Sequence, residues 1–450
     1  MQIIIVGSGK VGFNLAQMLS YEQHDVVVIE KDDERREIIG EHLDIQTVGG
    51  NGACPAVLIE AGIKEADMLI AVTELDEVNM VSCMMAKQFG VQRTIARVRN
   101  PEYAEGQQEI SYPKLGIDMI INPEQVTARE IVKLIEVPDA LNVDYYAEGR
   151  IQMVEIKIGP QAPVLGKKLK DLNIPNQALI ACILRKNSMI VARGEDMIQN
   201  GDHVFIIVRT RDTLVIEKII GKQLKKVEKI TILGAGRISY YLTEYLLKKK
   251  LASVKVIEKN RAAAKLFAQR MPEVLVINGD GADPELLTEE NIEESDVFVA
   301  ITADDKLNLL VSLLAKNLGV KRTITQVRRS DYASLMEQVG IDVAVSPRLL
   351  TAEAILRFIR RGNIVSVTLV DGDKAEVLEI IVPDKSIVVN RSLKQINLPA
   401  GTLVGAIRRK EEVIIPRGSE IIRPGDQVIV FTLPQHISLV EKYFQSSGGS

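Results

Sequence analysis

Residues 2–6 form an almost unbroken apolar run, the pattern of a parallel strand buried on both faces. A glycine-rich turn follows, after which Val11, Leu15, Met18 and Leu19 recur at helical spacing. Residues 25–30 read as a second buried strand and 32–42 as a polar amphipathic helix. Residues 46–49 predict a short strand running into Gly49, Gly50, Asn51 and Gly52, and Pro55 stands at a helix start, where its missing N–H costs little. Three more strands are expected at 68–72, 94–98 and 119–121, separated by helices near 77–89, 103–115 and 124–136. Strand and helix alternate throughout, which predicts a doubly wound parallel sheet.

The pattern changes after Pro138. Residues 152–158, 178–184, 189–192 and 203–208 look like strands, several with alternating polarity. A short helix near 165–172 interrupts them, and a helix near 210–220 ends the series. This stretch predicts a small α+β domain.

The whole arrangement then recurs. Ile3–Gly12 returns as Ile230–Ser239, Val28-Ile29-Glu30-Lys31 as Val256-Ile257-Glu258-Lys259, and Ala71-Val72-Thr73 with Asn79 as Ala300-Ile301-Thr302 with Asn308. Leu169, Leu172, Asn173, Pro175 and Gly201-Asp202 recur as Leu393, Ile396, Asn397, Pro399 and Gly425-Asp426. The chain therefore reads as a tandem duplication of a two-domain module. The expected domains are 1–137 and 228–361 (doubly wound) and 138–221 and 362–445 (small α+β), with a linker over 221–228.

Composition adds mainly exclusions. The 450 residues are 46% hydrophobic and 26% charged, ordinary for a globular protein. A net charge of −4 offers no electrostatic case for binding nucleic acid. No run approaches the roughly 18 apolar residues that span a bilayer, and the chain enters a strand directly without a basic leader, so a cytoplasmic location is expected. The 3 cysteines lack CxxC spacing, which argues against a disulfide framework or a metal site.

The chemistry sits at the glycine turns. Gly7-Ser8-Gly9-Lys10-Val11-Gly12 follows a strand, opens a helix and is trailed by Glu30 at the end of the next strand, the context of a Rossmann-like dinucleotide site. Gly7 permits the tight turn, Gly9 lets backbone N–H groups approach a pyrophosphate, and Gly12 allows close helix–strand packing. Glu30 is placed to accept both ribose hydroxyls of an adenosine and to repel a 2′-phosphate, which favours NAD(H) or another adenine nucleotide over NADP.

The second half keeps Gly234, Ala235, Gly236, Arg237, Ile238 and Glu258 but has Ser239 at the third glycine position, expected to push the helix outward. Lys10 and Arg237 are either phosphate contacts or exposed helix-start cations. Asn51 and Asp280 lie on the adenine side, as ligand contacts or helix caps. Thr73 and Thr302 end the fourth strand at the topological switch point. Arg97 and Arg99, opposite Gln326 and Arg328, end the fifth, with a structural ion pair as the default role of the arginines.

Nothing nominates a catalytic group. The 4 histidines (His24, His42, His203 and His436) hold no matching positions in the two halves, and no HExxH, GxSxG or P-loop motif occurs. Two nucleotide sites without chemistry point to sensing rather than catalysis.

On these glycine turns, on Glu30, on Ala71-Val72-Thr73 with Asp76-Glu77-Val78-Asn79-Met80, on Ile95–Tyr103 and on Ala344-Val345-Ser346-Pro347, each half resembles the RCK (or KTN) family domain followed by a TrkA-C domain. The resemblance covers essentially the whole chain. It implies a cytosolic regulatory subunit on the cytoplasmic face of a membrane, gating a transmembrane potassium-translocating (TrkH-like) subunit, with NAD(H) or ATP/ADP as regulatory ligands. It also implies a ring of eight such domains, hence a homotetramer. Ser239 departs from the family pattern and puts the second ligand in question. A duplicated NAD-dependent oxidoreductase and a regulator of cation efflux are the competing readings.

Overall fold

The computed structural model describes residues 1–21, 23–105, 111–172, 174–186, 188–221, 225–329, 332–359, 364–370 and 374–444. The first half opens with six strands, β1 (Gln2–Val6), β2 (Asp25–Glu30), β3 (Gln46–Gly49), β4 (Met68–Ala71), β5 (Arg93–Arg97) and β6 (Met119–Ile121). Between and after them run α1 (Lys10–Tyr21), α2 (Asp33–His42), α3 (Pro55–Glu60), α4 (Asp76–Gln88), α5 (Pro101–Glu105) and α6 (Pro123–Glu136). All pairings are parallel, in the order β3-β2-β1-β4-β5-β6. The order reverses direction at β1 and β4, and this is the switch point beside which open α/β sheets take ligands. Ile3, Ile4 and Ile5 are fully buried, as the continuous apolar run requires of a central strand covered by helices on both faces.

The β-rich part follows as β7 (Ala140–Tyr146), β8 (Ile151–Lys157), β9 (Ala178–Arg185), β10 (Ser188–Val191), β11 (His203–Arg209) and α7 (Val215–Ile220). Its antiparallel sheet has the order β10-β9-β11-β8-β7.

Both architectures are then remade. The strands β12 (Lys229–Leu233), β13 (Ser253–Glu258), β14 (Leu275–Asn278), β15 (Val297–Ala300), β16 (Arg322–Gln326) and β17 (Val343–Val345) repeat the parallel order. They alternate with α8 (Arg237–Lys249), α9 (Arg261–Arg270), α10 (Pro284–Glu289), α11 (Asp305–Asn317), α12 (Ala333–Val339) and α13 (Pro347–Ile359). Finally β18 (Ile364–Val370), β19 (Ala375–Ile381), α14 (Leu393–Ile396), β20 (Thr402–Arg409), β21 (Glu412–Ile414), β22 (Gln427–Thr432) and α15 (Ile437–Phe444) repeat the antiparallel one. The tandem α/β plus α+β reading thus holds.

Three local expectations change. The helix expected near 103–115 is the short α5 and a 3-10 turn at Tyr112–Leu115, with 106–110 outside the described residues. The helix near 165–172 is only a 3-10 turn at Leu169–Asp171, because backbone N–H groups of Leu169 and Lys170 bond across to Asp196 and Gly194 instead of up a helix. Strand β7 was not anticipated. It carries Asn142 and Asp144 among its apolar residues, and its pairing with β8 shifts register between Ala140 and Asn142. Asn173, one of the repeat-matching positions, lies outside the described residues.

The chain forms two compact units, each built from both halves: Met1–Ile131 with Glu228–Leu356, and Val132–Val227 with Arg357–Ser450. In the first unit the two parallel-sheet domains meet through side chains of the α6 and α8 regions. Asn122 Nδ2 donates to Tyr241 Oη at 3.5 Å, and Arg129 Nε donates to Tyr245 Oη at 3.3 Å with its guanidinium 5.7 Å from that ring's centre.

In the second unit the two antiparallel sheets share one core, in which Tyr146, Met153, Cys182, Phe205 and Ile207 pack with Val377, Ala406, Ile429 and Phe431. The Ala147 N–H donates to the buried Glu379 carboxylate at 2.6 Å across that contact. Among the described residues no helix is long and apolar enough to cross a membrane, and no group of three or more His, Cys, Asp or Glu side chains is placed to hold a metal ion.

Candidate nucleotide sites

The first glycine turn is set by contacts that only glycine permits. Gly7 has φ +102°, and its N–H bonds Ile29 O at 2.8 Å. A Cβ on Gly7 would lie 3.0 Å from Thr73 Cγ2, so the turn and the end of β4 touch. At Gly12 a Cβ would stand 1.9 Å from the Gly7 carbonyl oxygen. Gly9 differs, since a Cβ there meets nothing within 4 Å. The space over Gly9 is open, as an approaching phosphate needs. Beyond it α1 runs 12 residues with no acidic residue in its own first turn, so its N-terminal N–H groups present the positive end of the helix dipole. Lys10, exposed, opens this helix.

Glu30, only 6% exposed, is tied to the same turn. Its Oε2 accepts the Ser8 N–H at 2.7 Å and the Ser8 hydroxyl at 2.9 Å, and its Oε1 accepts the Asp32 N–H at 3.0 Å. Burial acts to raise the pKa of this carboxyl, but the N–H groups of Asp32 and Ser8 and the Ser8 hydroxyl outweigh it and hold the group below the ordinary glutamate value. Glu30 is therefore an anion fixed at the rim of the turn. Nothing in the chain's periodicity signals that Ser8 is its partner.

The second turn is built alike. Gly234 has φ +100°, and its N–H bonds Ile257 O at 2.8 Å. Gly236 again faces open space, and Glu258 accepts from Ala235 N at 2.8 Å and Asn260 N at 2.7 Å. Ser239 is fully buried and donates its hydroxyl to Gly234 O at 2.5 Å. The carbonyl that would collide with a Cβ at Gly12 becomes, in this half, the acceptor for a side chain. Arg237 and Ile238 begin α8, Arg237 exposed.

On the adenine side the helix-cap alternative fails for both residues. Asn51 Oδ1 accepts the Ala53 N–H at 3.0 Å and Asp280 Oδ1 the Ala282 N–H at 3.1 Å, so each closes a turn two residues on. The caps of α3 and α10 are Cys54 and Asp283. Asp280 also pairs with Lys259 at 2.6 Å, and this hydrogen bond leads the causes that lower its pKa.

Across the turn, Thr73 and Thr302 are held by asparagines that site reasoning missed. Asn79 Oδ1 accepts the Thr73 N–H at 2.8 Å and its hydroxyl at 2.7 Å, and Asn79 Nδ2 donates to Thr73 O and Arg97 O. Asn308 makes the same set with Thr302 and Gln326. The signal was present, an asparagine six residues after each threonine in both halves.

The arginines divide in role. Arg99 forms the expected ion pair, to Glu124 Oε1 at 2.7 and 2.5 Å. Arg97 forms none among the described residues: its Nη1 donates to Thr73 O at 3.3 Å and its Nε is buried with no partner among them. Burial, and after it the charge of Arg99, lower its pKa. Gln326 replaces it in the second half, while Arg328 uses its N–H to bond Asp305.

Fold and turns together define a tandem Rossmann-type protein whose two α/β domains each carry a glycine turn with a tethered carboxylate. The TrkA-N domain matches residues 3–123 and 230–347, and the TrkA-C domain residues 153–221 and 377–445. The chain is 37% identical to Trk system potassium uptake protein TrkA homolog 1 of Methanosarcina mazei, over 99% of this chain and 100% of that one. It is equally 37% identical to Trk system potassium uptake protein TrkA of Halomonas elongata, over 99% of both. Among solved structures, the GsuK channel bound to NAD superposes with a TM-score of 0.63 at 18% identity, covering 98% of this chain and 78% of that one. The GsuK RCK domain gives 0.62, covering 98% and 94%; at this identity the likeness is one of fold. The chain belongs to the TrkA family of proteins with paired TrkA-N and TrkA-C domains. That membership separates it from the enzymes that share the Rossmann fold.

Proposed function

We propose that this protein is a nucleotide-binding regulatory subunit of a potassium uptake system, controlling flux through a separate transmembrane, TrkH-like subunit from the cytoplasmic face of the membrane. The observation that carries the reading is the duplicated turn: open space over Gly9 and Gly236, bounded by Glu30 and Glu258, in a chain whose relatives are named as potassium uptake proteins. The GsuK structures, solved with NAD and with ADP, supply the analogy for an adenine nucleotide at each turn.

In this reading the four domains are 1–137, 138–221, 228–361 and 362–445, and four chains form a ring. Adenosine lies toward Glu30 and Asn51, or Glu258 and Asp280. A ribose hydroxyl takes over the bond that Glu30 now receives from the Ser8 hydroxyl. The phosphates meet the N–H groups of Gly9–Gly12 and Gly236–Ser239, with Lys10 and Arg237 beside them and Thr73 and Thr302 closing the far side. The nucleotide shifts the conformation by binding one state more tightly than another.

Reconstitution with the membrane subunit tests this. Potassium flux in vesicles should change on adding ATP, ADP or NADH, and the response should vanish in the Glu30→Ala, Glu258→Ala double variant. An unaltered response in that variant would refute the assignment, and steady turnover of NADH with a small carbonyl substrate would favour an oxidoreductase instead.

A further inference from the structure

The two turns treat the near end of a nucleotide alike, each with a carboxylate, open glycine space and a basic residue at the helix start. They part at the far end. Strand order places Glu30, on β2, and Arg97, on β5, on opposite sides of the β1 turn. Arg97 nonetheless reaches back to it, because its Nη1 rests on Thr73 O and Thr73 touches Gly7. In the second half Gln326 makes the same approach, with Nε2 on Thr302 O at 3.4 Å and Thr302 Cγ2 3.3 Å from where a Cβ on Gly234 would sit. A carbonyl accepts only from the amide nitrogen, which fixes the other end of that side chain as the oxygen.

Each of these two side chains has one buried polar atom without a partner, and the two atoms are of opposite sense. On Arg97 it is Nε, a donor on a cation; on Gln326 it is Oε1, a neutral acceptor. Buried polar groups left unsatisfied are costly, and such groups mark places where a partner belongs. The bonds that hold the two side chains against the threonine carbonyls, 3.3 and 3.4 Å, are long, so an arriving ligand recruits either group at little cost. A guanidinium fits the terminal phosphate of a mononucleotide, as a charge-assisted donor. An uncharged amide oxygen cannot compensate that phosphate, and it fits an N–H donor such as the carboxamide of a nicotinamide.

We propose that Arg97 and Gln326 set which ligand each half takes: an adenine di- or triphosphate in the first site and the dinucleotide NAD(H) in the second. This rests on the nucleotide reading above and assigns its ligands. It gives the duplication a purpose, since one chain then registers phosphorylation state at one turn and the nicotinamide pool at the other.

Titration calorimetry of the full chain tests it, with each site isolated in turn by Glu258→Ala or Glu30→Ala. The first site is expected to favour ATP over NADH and the second NADH over ATP, each by about tenfold or more, the discrimination one charge-assisted contact gives. Exchanging the residues (Arg97→Gln in the first site, Gln326→Arg in the second) should move each preference toward that of the other. Both substitutions install a residue the fold already accommodates at the equivalent place, so a failure to fold does not confuse the result. Equal ATP-to-NADH ratios at the two isolated sites, or a loss in Arg97→Gln that is the same for both ligands, would overturn the assignment while leaving two nucleotide sites standing. No binding of either nucleotide at either site overturns the functional reading itself.

Discussion

Arg185 grips Asp202 with two prongs, Nε to Oδ1 at 2.9 Å and Nη2 to Oδ2 at 2.7 Å, and the repeat remakes the pair as Arg409 on Asp426 at 2.9 and 2.8 Å. Asp202 is 2% exposed and also accepts the Gln199 N–H at 2.7 Å, while Arg185 reaches on to Met197 O. The pair thus pins the loop before β11 to the end of β9. Removing one partner strands the other charge, which costs more than the pair is worth intact. Arg185→Ala, which strands the buried Asp202 carboxylate, is expected to lower unfolding free energy by about 3 kcal/mol, and Asp202→Ala by less, because the arginine it leaves behind is partly exposed. Urea denaturation of the full chain measures both; equal, near-zero effects would show that the pair only decorates the loop.

The same carboxylate predicts acid behaviour. Burial acts to raise the Asp202 pKa, but the Arg185 guanidinium and the Gln199 N–H prevail and hold it below the ordinary aspartate value. Glu30 is shifted in the same direction by its N–H partners. A carboxyl whose folded-state pKa is depressed binds more protons unfolded than folded as acid is added. Its stabilisation is complete above the unfolded value, near pH 4, and is lost as the pH falls through the folded one. Denaturation midpoints should therefore drop steeply below about pH 4, and Asp202→Asn should flatten that drop while lowering the plateau at neutral pH.

The shared core of the antiparallel sheets makes a separate test. A Cβ on Gly405, in β20, would lie 2.1 Å from Ile207 Cδ1, in β11 of the other half, and Ile207 is fully buried. Gly405→Ala should cost about 1–3 kcal/mol through overpacking. Trimming the obstructing methyl with Ile207→Val should restore part of it, so the double variant should be more stable than the sum of the single effects predicts. Strict additivity would mean that the two sheets do not meet there in solution.

The parts of this fold that were legible are those in which one residue's environment follows from its neighbours in sequence. The isoleucines of β1 announce a central strand because a two-faced burial needs an unbroken apolar run. The glycine turns announce themselves by spacing. What escaped depended on distant partners. Strand β7 mixes Asn142 and Asp144 into its length and is defined by pairing with β8 rather than by alternation. The bond from Ser8 to Glu30 spans 22 residues, and the grip of Asn79 on Arg97 O spans 18. Asn51 and Asp280 were weighed as ligand contacts or helix caps, but which backbone N–H they take was decided by turn geometry that composition does not encode.

Ser239 was expected to push the second helix outward, and its hydrogen bond to Gly234 O changes what should be measured. In the first half the helix lies so close that a Cβ at position 12 would overlap Gly7 O at 1.9 Å. Gly12→Ala must therefore push α1 off the turn, and with it the N–H groups that face the open space over Gly9. Stability should fall by about 1–3 kcal/mol, and nucleotide affinity at the first site should fall as well. In the second half the spacing already admits a side chain, so Ser239→Ala removes only a buried hydrogen bond, about 1 kcal/mol, and leaves the turn in place. Ser239→Gly should not tighten nucleotide binding, since the Ala235 N–H already bonds Glu258 and Gly236 already faces open space with the serine in place. Calorimetry and thermal melts of the three variants decide the matter. A gain in second-site affinity for Ser239→Gly would show that the serine does weaken the site, and that the two turns differ by design at this residue as well as at Arg97 and Gln326.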